Sequence, residues 1–335
     1  MVRSLGAVQS QDYAGAKWSV GQRVRGGTDR ALDEAFSSGR ILRTHVLRPT
    51  WHFVAPQDIR WLLRLTGPRV HAVSAYQYRL LALDGPLLAR AHELIARALA
   101  GGRHLTRAEL ATELERGGIA ARGQRLAYIV AHAELDALIC SGALRGKQHT
   151  YALLEERAPA GPAFHREEAV AEITRRFFVS HGPATVKHFA WWSGLTVADG
   201  KAGLAMVASD LTRVERDGKM YWGGGTRGPA RRTPARAWLI PEYDEALIGY
   251  KDLGVPDLPR TRRGWKDIWH RPVLIEGRRA GTWRRTVDGG RLSVKTNLFA
   301  TLDPRQRRML DAATERYARF LELSTASASW GPGRS

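Results

Sequence analysis

Two glutamines separated by a single residue, Gln9 and Gln11 in Val8-Gln9-Ser10-Gln11-Asp12-Tyr13, have types and spacing that could do chemistry. A carboxamide can orient water through its carbonyl and donate through its NH2 group, but it takes up no proton at neutral pH. Residues i and i+2 point about 200° apart on a helix and to the same side of an extended segment. The two amides can therefore converge only where this stretch is locally non-helical. Asp12 would face away on such a segment, which suits it to a helix cap or an arginine partner. The nearest lysine is Lys17, outside the motif, which argues against a Schiff-base intermediate here. His52 is a second candidate. Alternation puts Thr50, His52 and Val54 on one face of an extended run and Trp51 and Phe53 on the other. With the aromatic pair assigned to the core, Thr50 and His52 would face a groove. There His52 could contact phosphate or polarise water, with a hydrogen-bonded structural histidine as the alternative. Asp244 could favour a cationic centre electrostatically, and could equally be an arginine partner.

The elements that must hold these residues are marked by local signals. Thr106-Arg107-Ala108-Glu109 is a capping box, followed by Leu110 and Leu114 at helical spacing and closed by Gly117-Gly118. A second helical pattern runs through Leu126, Ile129, Val130, Ala133 and Leu138 to Ser141-Gly142. The basic stretch from Leu144 to His149 and the β-prone run from Thr150 to Leu154 follow. Helix, turn, helix and basic hairpin is the order of a winged helix. The pattern recurs from Thr185 through Phe189 to Gly194-Leu195, then from the capping pattern Thr196 to Asp199 into a helix through Leu204 and Val207. Its wing is predicted from Val214 to Trp222 with Asp217-Gly218 at the turn. A third copy is predicted near the amino end, with Thr28 capping a helix over Asp29 to Ser38, Gly39 closing it, and Arg40 to Val54 forming two strands broken at Arg48-Pro49. From Trp238 onward a small α+β unit is expected, with a strand at Val273-Leu274-Ile275, a hairpin at Glu276-Gly277-Arg278 and a helix from Asp303 to about Leu321.

The composition restricts what such a framework serves. The 335 residues are 44% hydrophobic, enough to bury cores in two or three domains. Lys and Arg total 52 against 33 Asp and Glu, a formal charge of +19 that points to a polyanion such as DNA or RNA. Codon bias exchanges one cation for another and does not create that imbalance. Two loops, Trp222 to Arg236 and Pro259 to Arg271, carry clustered arginine and lysine and could track a sugar-phosphate backbone, or be solvated linkers. Cys140 is the single cysteine, which excludes disulfides within the chain and cysteine-ligated metal centres. No run approaches the ~18 apolar residues of a membrane span and no signal-peptide core is evident, so a cytoplasmic, nucleoid-associated protein is expected.

The motifs Val8 to Tyr13, Arg43 to Val54, Ser180-His181-Gly182-Pro183-Ala184-Thr185, Phe189 to Leu195, Asp244-Glu245 before Gly249-Tyr250-Lys251-Asp252, and Gly281-Thr282-Trp283-Arg284 together resemble the AlkZ/YcaQ-like winged-helix DNA glycosylase superfamily. The resemblance covers nearly the whole chain in order. It implies an α+β, mainly helical fold of tandem winged helices in a C-shape around a basic channel, with a small C-terminal α+β unit. The expected divisions are 1–90 carrying Gln-x-Gln, 91–158, 165–225, 237–323 and a mobile tail at 324–335. The family's catalytic signature is Gln, an aliphatic residue, then Gln or Asp, which here falls on Gln9-Ser10-Gln11 with serine in the aliphatic place. Members usually carry an additional helix before this motif, where only eight residues precede Gln9, and an arginine is expected where Leu253 stands.

The implied activity is monofunctional hydrolysis of the N-glycosidic bond of N7-alkylated purines, including bulky or crosslinked adducts. Alkylation at N7 makes the base a good leaving group, so the site needs a placed water and support for an oxocarbenium-like sugar more than a general acid. Gln9, Gln11, His52 and Asp244 are the catalytic candidates, and Arg43, Arg48, Thr50, Arg145, Lys147, Lys187, Arg284 and Arg285 the candidate DNA contacts. No metal or cofactor is expected, and damaged double-stranded DNA is the expected partner of a monomer. A non-catalytic winged-helix regulator that reads sequence is the alternative, and a structural or RNA-binding module a third.

Overall fold

In the computed structural model, which describes residues 1–158, 160–161, 163–225, 236–250 and 271–332 and only the backbone of 325–332, the chain is mixed α/β and about half helical. The two basic loops lie for the most part outside the described residues, as do Lys251, Asp252 and Leu253. The described residues fall into two units, 1–11 with 33–225 and 248–250, and 12–32 with 236–247 and 271–332. No described helix is long and apolar enough to cross a membrane.

The first unit begins with a single helical turn, α1 (Val2–Leu5), and a three-stranded antiparallel sheet in the order β1 (Val8–Gln9), β3 (Arg48–Val54), β2 (Leu42–Val46). The break between β2 and β3 is at Leu47, one residue before the predicted Arg48-Pro49. Leu47 takes the left-handed conformation, φ 65°, and its N–H donates to Thr66 Oγ1 at 3.1 Å. Its carbonyl is covered by Gly194, itself left-handed at φ 70°, where a Cβ would lie 2.1 Å from the Leu47 oxygen. Only glycine satisfies both the angle and the approach. Register pairs Gln9 with His52 and His52 with Thr44, so these three share a face with Leu42 and Val54. That face belongs to the core. Leu42, Val46 and Val54 are completely buried there in one cluster with Leu62, Phe177, Phe178 and Trp192. Contrary to expectation, His52 points into this buried side and not toward a groove; of the aromatic pair on the other side, Phe53 is buried as expected, against Phe36, and Trp51 is half-buried.

The helix predicted after Thr28 is α3 (Asp29–Ser37), with Thr28 Oγ1 accepting from Ala31 N at 3.2 Å. Two helices not foreseen from the sequence follow the sheet, α4 (Ile59–Leu80), which accommodates Pro68, and α5 (Gly85–Leu99), opened by Asp84 accepting from Leu87 N. Next come β4 (Leu105–Thr106), α6 (Arg107–Arg116), α7 (Gly123–Leu135), β5 (Ile139–Ser141) and β6 (Thr150–Leu153), the strands ordered β4-β6-β5. The Thr106–Glu109 capping box is present in full. Leu88, Ile95, Leu110, Leu114, Ile129 and Ile139 close a second core. The β5–β6 connection turns tightly between Arg145 and Gln148, with Gly146 at φ 62°.

After α8 (Leu154–Arg157), the helices α9 (Arg166–His181), α10 (Val186–Ser193) and α11 (Val197–Val207) lead into a hairpin of β7 (Leu211–Arg216) and β8 (Lys219–Gly224). Thr185 and Thr196 cap α10 and α11 as their sequences require. Asp217 and Gly218 both have positive φ, 51° and 67°, the two-residue turn whose twist suits an antiparallel hairpin.

The second unit contains α2 (Tyr13–Gly21), β9 (Ala237–Leu239), the start of α12 (Glu245–Ile248), β10 (Pro272–Ile275), β11 (Arg278–Asp288), β12 (Arg291–Leu298) and α13 (Pro304–Phe320). The hairpin at Glu276-Gly277 is present, with φ 52° and 80°. Asp303 caps α13. The segment expected as a mobile tail instead supplies β13 (Ser324–Pro332), parallel to β12 at the edge of a sheet ordered β13-β12-β11-β10-β9. Trp18, Trp283 and Tyr317 anchor this unit's core. The two indole N–H groups donate to the carbonyls of Leu239 and Ile240 at 2.7 and 2.8 Å.

Candidate active site

The Gln-x-Gln motif is built on the edge strand β1. Val8 and Gln9 pair with Phe53 and His52, and Ser10 N donates to Trp51 O at 2.7 Å. The backbone is thus extended and non-helical through Ser10, and the extension stops before Gln11. Gln11 follows at a bend and is exposed, whereas Gln9 is only 8% exposed. Arg48, at the start of β3, donates from Nη2 to Gln9 Oε1 at 3.2 Å. This bond orients the carboxamide.

Arg43 on β2 braces the middle of the motif. Its Nε and Nη2 donate to Ser10 O at 3.2 and 2.9 Å, and Nε also lies 3.3 Å from Ser10 Oγ. Serine in the aliphatic place is therefore completely buried yet hydrogen-bonded. The guanidinium sits over Trp51, 4.4 Å from the ring centre, and Trp51 in turn meets His45 at 4.5 Å. His45 Nδ1 contacts the buried carboxylate of Glu134 on α7. A continuous line of contacts thus runs from α7 through His45, Trp51 and Arg43 to the motif. Sequence reading missed it, because its members are scattered along the chain from 10 to 134.

His52 is completely buried between Gln9 and Thr44 in the register of the sheet, and its Nδ1 donates to Thr50 O at 2.9 Å. A carbonyl can only accept, so Nδ1 carries a proton. The alternative of a hydrogen-bonded structural histidine describes this position, and the expected groove-facing one does not. Thr50 is half-buried beside it.

In the second unit Asp12 caps α2 through Gly15 N at 3.2 Å and lies 3.5 Å from Arg271, combining the two roles considered for it. Asp244 is completely buried. Arg23 holds both its oxygens, at 2.8 and 2.6 Å, and Ala246 N adds a third bond at 2.9 Å. Its surroundings are those of the arginine-partner alternative.

The candidate DNA contacts divide by environment. Lys147, at the β5–β6 turn, Lys187 on α10 and Arg284 on β11 are exposed. Arg145 is exposed too, but bound to Glu109 at 2.7 Å and to His104 O at 2.6 Å. Arg285 is half-buried, placed over the Tyr317 ring at 5.5 Å and donating to its hydroxyl. Arg43 and Arg48 are engaged with the motif.

The class of protein to which this fold and motif belong is settled by comparison with known proteins. The family model for AlkZ-like DNA glycosylases, "DNA glycosylase AlkZ-like", matches residues 2–320, and the chain belongs to that family. The solved structure of Streptomyces sahachiroi DNA glycosylase AlkZ superposes with a TM-score of 0.73 at 19% identity, over 98% of this chain and 92% of that one. That likeness establishes the fold. A search of curated proteins finds no match.

Proposed function

We propose that this chain is a monofunctional DNA glycosylase that hydrolyses the N-glycosidic bond of N7-alkylated purines in duplex DNA. In this reading its helix-and-hairpin segments, within 1–90, 91–158 and 165–225, act as winged helices, and the unit within 237–323 contributes the exposed Arg284 to DNA binding. The observation that carries it is the non-helical Gln9-Ser10-Gln11 segment, extended to Ser10 and bent at Gln11, braced by Arg43 at its centre and by Arg48 at Gln9. Such bracing pre-organises dipoles for charge that develops only in the transition state.

Gln11 orients the attacking water, and the Gln9 carboxamide, held by Arg48, supplies a dipole that favours the cationic sugar. Water oxygen bonds to C1′ and its proton passes to solvent. The glycosidic electron pair leaves with the purine and neutralises its N7 cation. Neither amide exchanges a proton, so an unmodified purine, which needs an acid to leave, is a poor substrate. His52 is a positioning residue behind Gln9, and Asp244 a structural partner of Arg23.

The test is incubation with duplex DNA carrying N7-methylguanine, reading alkali-labile sites. Wild type is expected to excise the base without cleaving the strand, and Gln9→Ala and Gln11→Ala to lose about 100-fold or more in rate, the scale of removing one pre-organised donor. Equal excision by wild type and variants overturns the assignment. The second reading, a non-catalytic DNA binder, draws on the exposed β7–β8 hairpin with Arg213, Arg216 and Lys219. Tight sequence-selective binding without excision would favour it.

A further inference from the structure

Three imidazoles and a carboxylate converge at one end of the α4–α7 contact, away from the glutamine motif in sequence and with no part in the proposed hydrolysis. His71 of α4, His132 of α7 and Asp136, the residue that ends α7, each offer a ligand atom, and these atoms lie within 4.8 Å of one another. Asp136 Oδ1 is 3.0 Å from His71 Nε2, and Asp136 Oδ2 is 3.2 Å from His132 Nδ1. The two imidazoles thus meet different oxygens of one carboxylate, and their ligand atoms need only small side-chain rotations to close on a single ion at Zn–N distances of about 2.0–2.1 Å. His92 of α5 stands alongside, its Nε2 3.2 Å from His132 Nδ1.

The outer contacts have the arrangement that ligating histidines require. The second ring nitrogen of His71, Nδ1, is 2.9 Å from the Tyr78 hydroxyl one helical stretch further along α4, which fixes the ring with Nε2 toward the cluster. Tyr78 itself packs edge-on against Tyr128 of α7 at 5.9 Å. His132 is ringed by His71 at 4.5 Å, His92 at 5.1 Å and Tyr78 at 5.4 Å, so its plane is held on three sides. A cavity of about 350 Å³, bordered by Gly67, Pro68, His71, Leu135 and Asp136, opens beside the carboxylate and leaves room for a water ligand. Nitrogen-rich donors with one carboxylate suit a borderline divalent ion and not Mg²⁺ or Ca²⁺, which take all-oxygen shells.

We propose that His71, His132 and Asp136 form a site for a divalent first-row transition metal, with Zn²⁺ the natural occupant, that ties α4 to the end of α7. The position has a mechanical consequence. Gly67 already brings α4 against the carbonyl of Leu135, where a Cβ would lie 3.1 Å away. Glu134, which holds His45 and through it the line of contacts to the motif, is two residues from one ligand and two from the other. A metal here fastens the helix end from which that line starts.

The experiment uses the full chain without a polyhistidine tag. Titration with Zn²⁺ is expected to give one equivalent bound and a rise in Tm, and Co²⁺ to give visible d–d absorption that Zn²⁺ displaces. His71→Gln, His132→Gln and Asp136→Asn are each expected to weaken binding about 100-fold, and Tyr78→Phe, which removes only the orienting hydroxyl, about 10-fold. X-ray absorption of the Zn²⁺ complex of wild type is expected to show imidazole scattering from two histidines, and decides the matter even for a variant that does not fold. The absence of binding at 100-fold excess Zn²⁺, an oxygen-only shell, or unchanged affinity in the folded His132→Gln variant overturns the site.

Discussion

Arg43 is the residue on which the geometry of the motif most depends. Its two bonds to the Ser10 carbonyl come from a charged, forked donor, each of a kind that contributes about 1.5–3 kcal/mol. The Ser10 hydroxyl adds a single longer contact at 3.3 Å. The backbone interaction should therefore dominate. Arg43→Ala is expected to lower kcat/KM for excision about 100-fold by letting the amides drift, the penalty typical of ~1 Å misplacement, whereas Ser10→Ala should stay within about threefold of wild type. Arg43→Lys separates bracing from phosphate binding. A point charge restores a phosphate contact but not the fork over Trp51. Steady-state rates of the three variants check this, and full rescue by lysine would show that Arg43 acts on the DNA backbone instead.

At the scale of elements, α9 is fastened by a charged cluster whose pH response can be worked out. Arg176 donates to both oxygens of the buried Asp58, at 2.6 and 3.2 Å, and to Glu172 at 2.6 Å, while Arg175 holds the other Glu172 oxygen at 2.7 Å. Burial alone would raise the Glu172 carboxyl, but the hydrogen bonds from Arg175 and Arg176 outweigh it and bring its pKa below the ordinary carboxylate value. A depressed folded pKa means stability that is complete above the unfolded value of about 4.3 and lost as pH falls below it. Urea midpoints between pH 7 and 3 should fall less steeply for Glu172→Gln than for wild type, and parallel curves would remove Glu172 from the acid response. Elements of this kind were legible where their signals are local. The caps at Thr106, Thr185, Thr196 and Asp303 and the turns at Asp217-Gly218 and Glu276-Gly277 depend only on neighbouring residues. The rest depends on partners far along the chain. Leu47 makes its left-handed turn without a glycine or asparagine to announce it, because Gly194 and Thr66 cover it from other helices. His52 was assigned to the wrong face because its alternation is symmetric. Register with Gln9 and Thr44, and burial beside Leu42 and Val54, decide the side. The strand at Ser324–Pro332 alternates Ala326, Ala328 and Trp330 with serines, a signal weak in apolar bulk, and it is held by pairing with β12. The His71, His132 and Asp136 cluster is likewise a product of helix packing.

For the whole molecule the governing quantity is the formal charge of +19. Excess charge of that size raises affinity for any polyanion and speeds encounter, but only charges that displace counterions from phosphates change the salt dependence of binding. Each such contact contributes about −0.9 to the slope of log K against log salt on duplex DNA. The environments of the basic residues therefore predict unequal effects from equal charge removal. Lys147 and Lys187 are exposed, so Lys147→Ala and Lys187→Ala should each make the slope shallower by about 1. Arg145 must first leave Glu109 and the His104 carbonyl, so Arg145→Ala should change it by less than a full contact. Arg285 is committed to Tyr317, so Arg285→Ala should leave the slope alone and lower stability instead, while its exposed neighbour gives the opposite result in Arg284→Ala. Fluorescence anisotropy with an undamaged duplex between 50 and 200 mM salt, roughly the range over which phosphate contacts are most visible, reads these slopes directly. If all five substitutions shift affinity by the same amount at every salt concentration, the chain binds through its overall field and the assigned contacts are wrong.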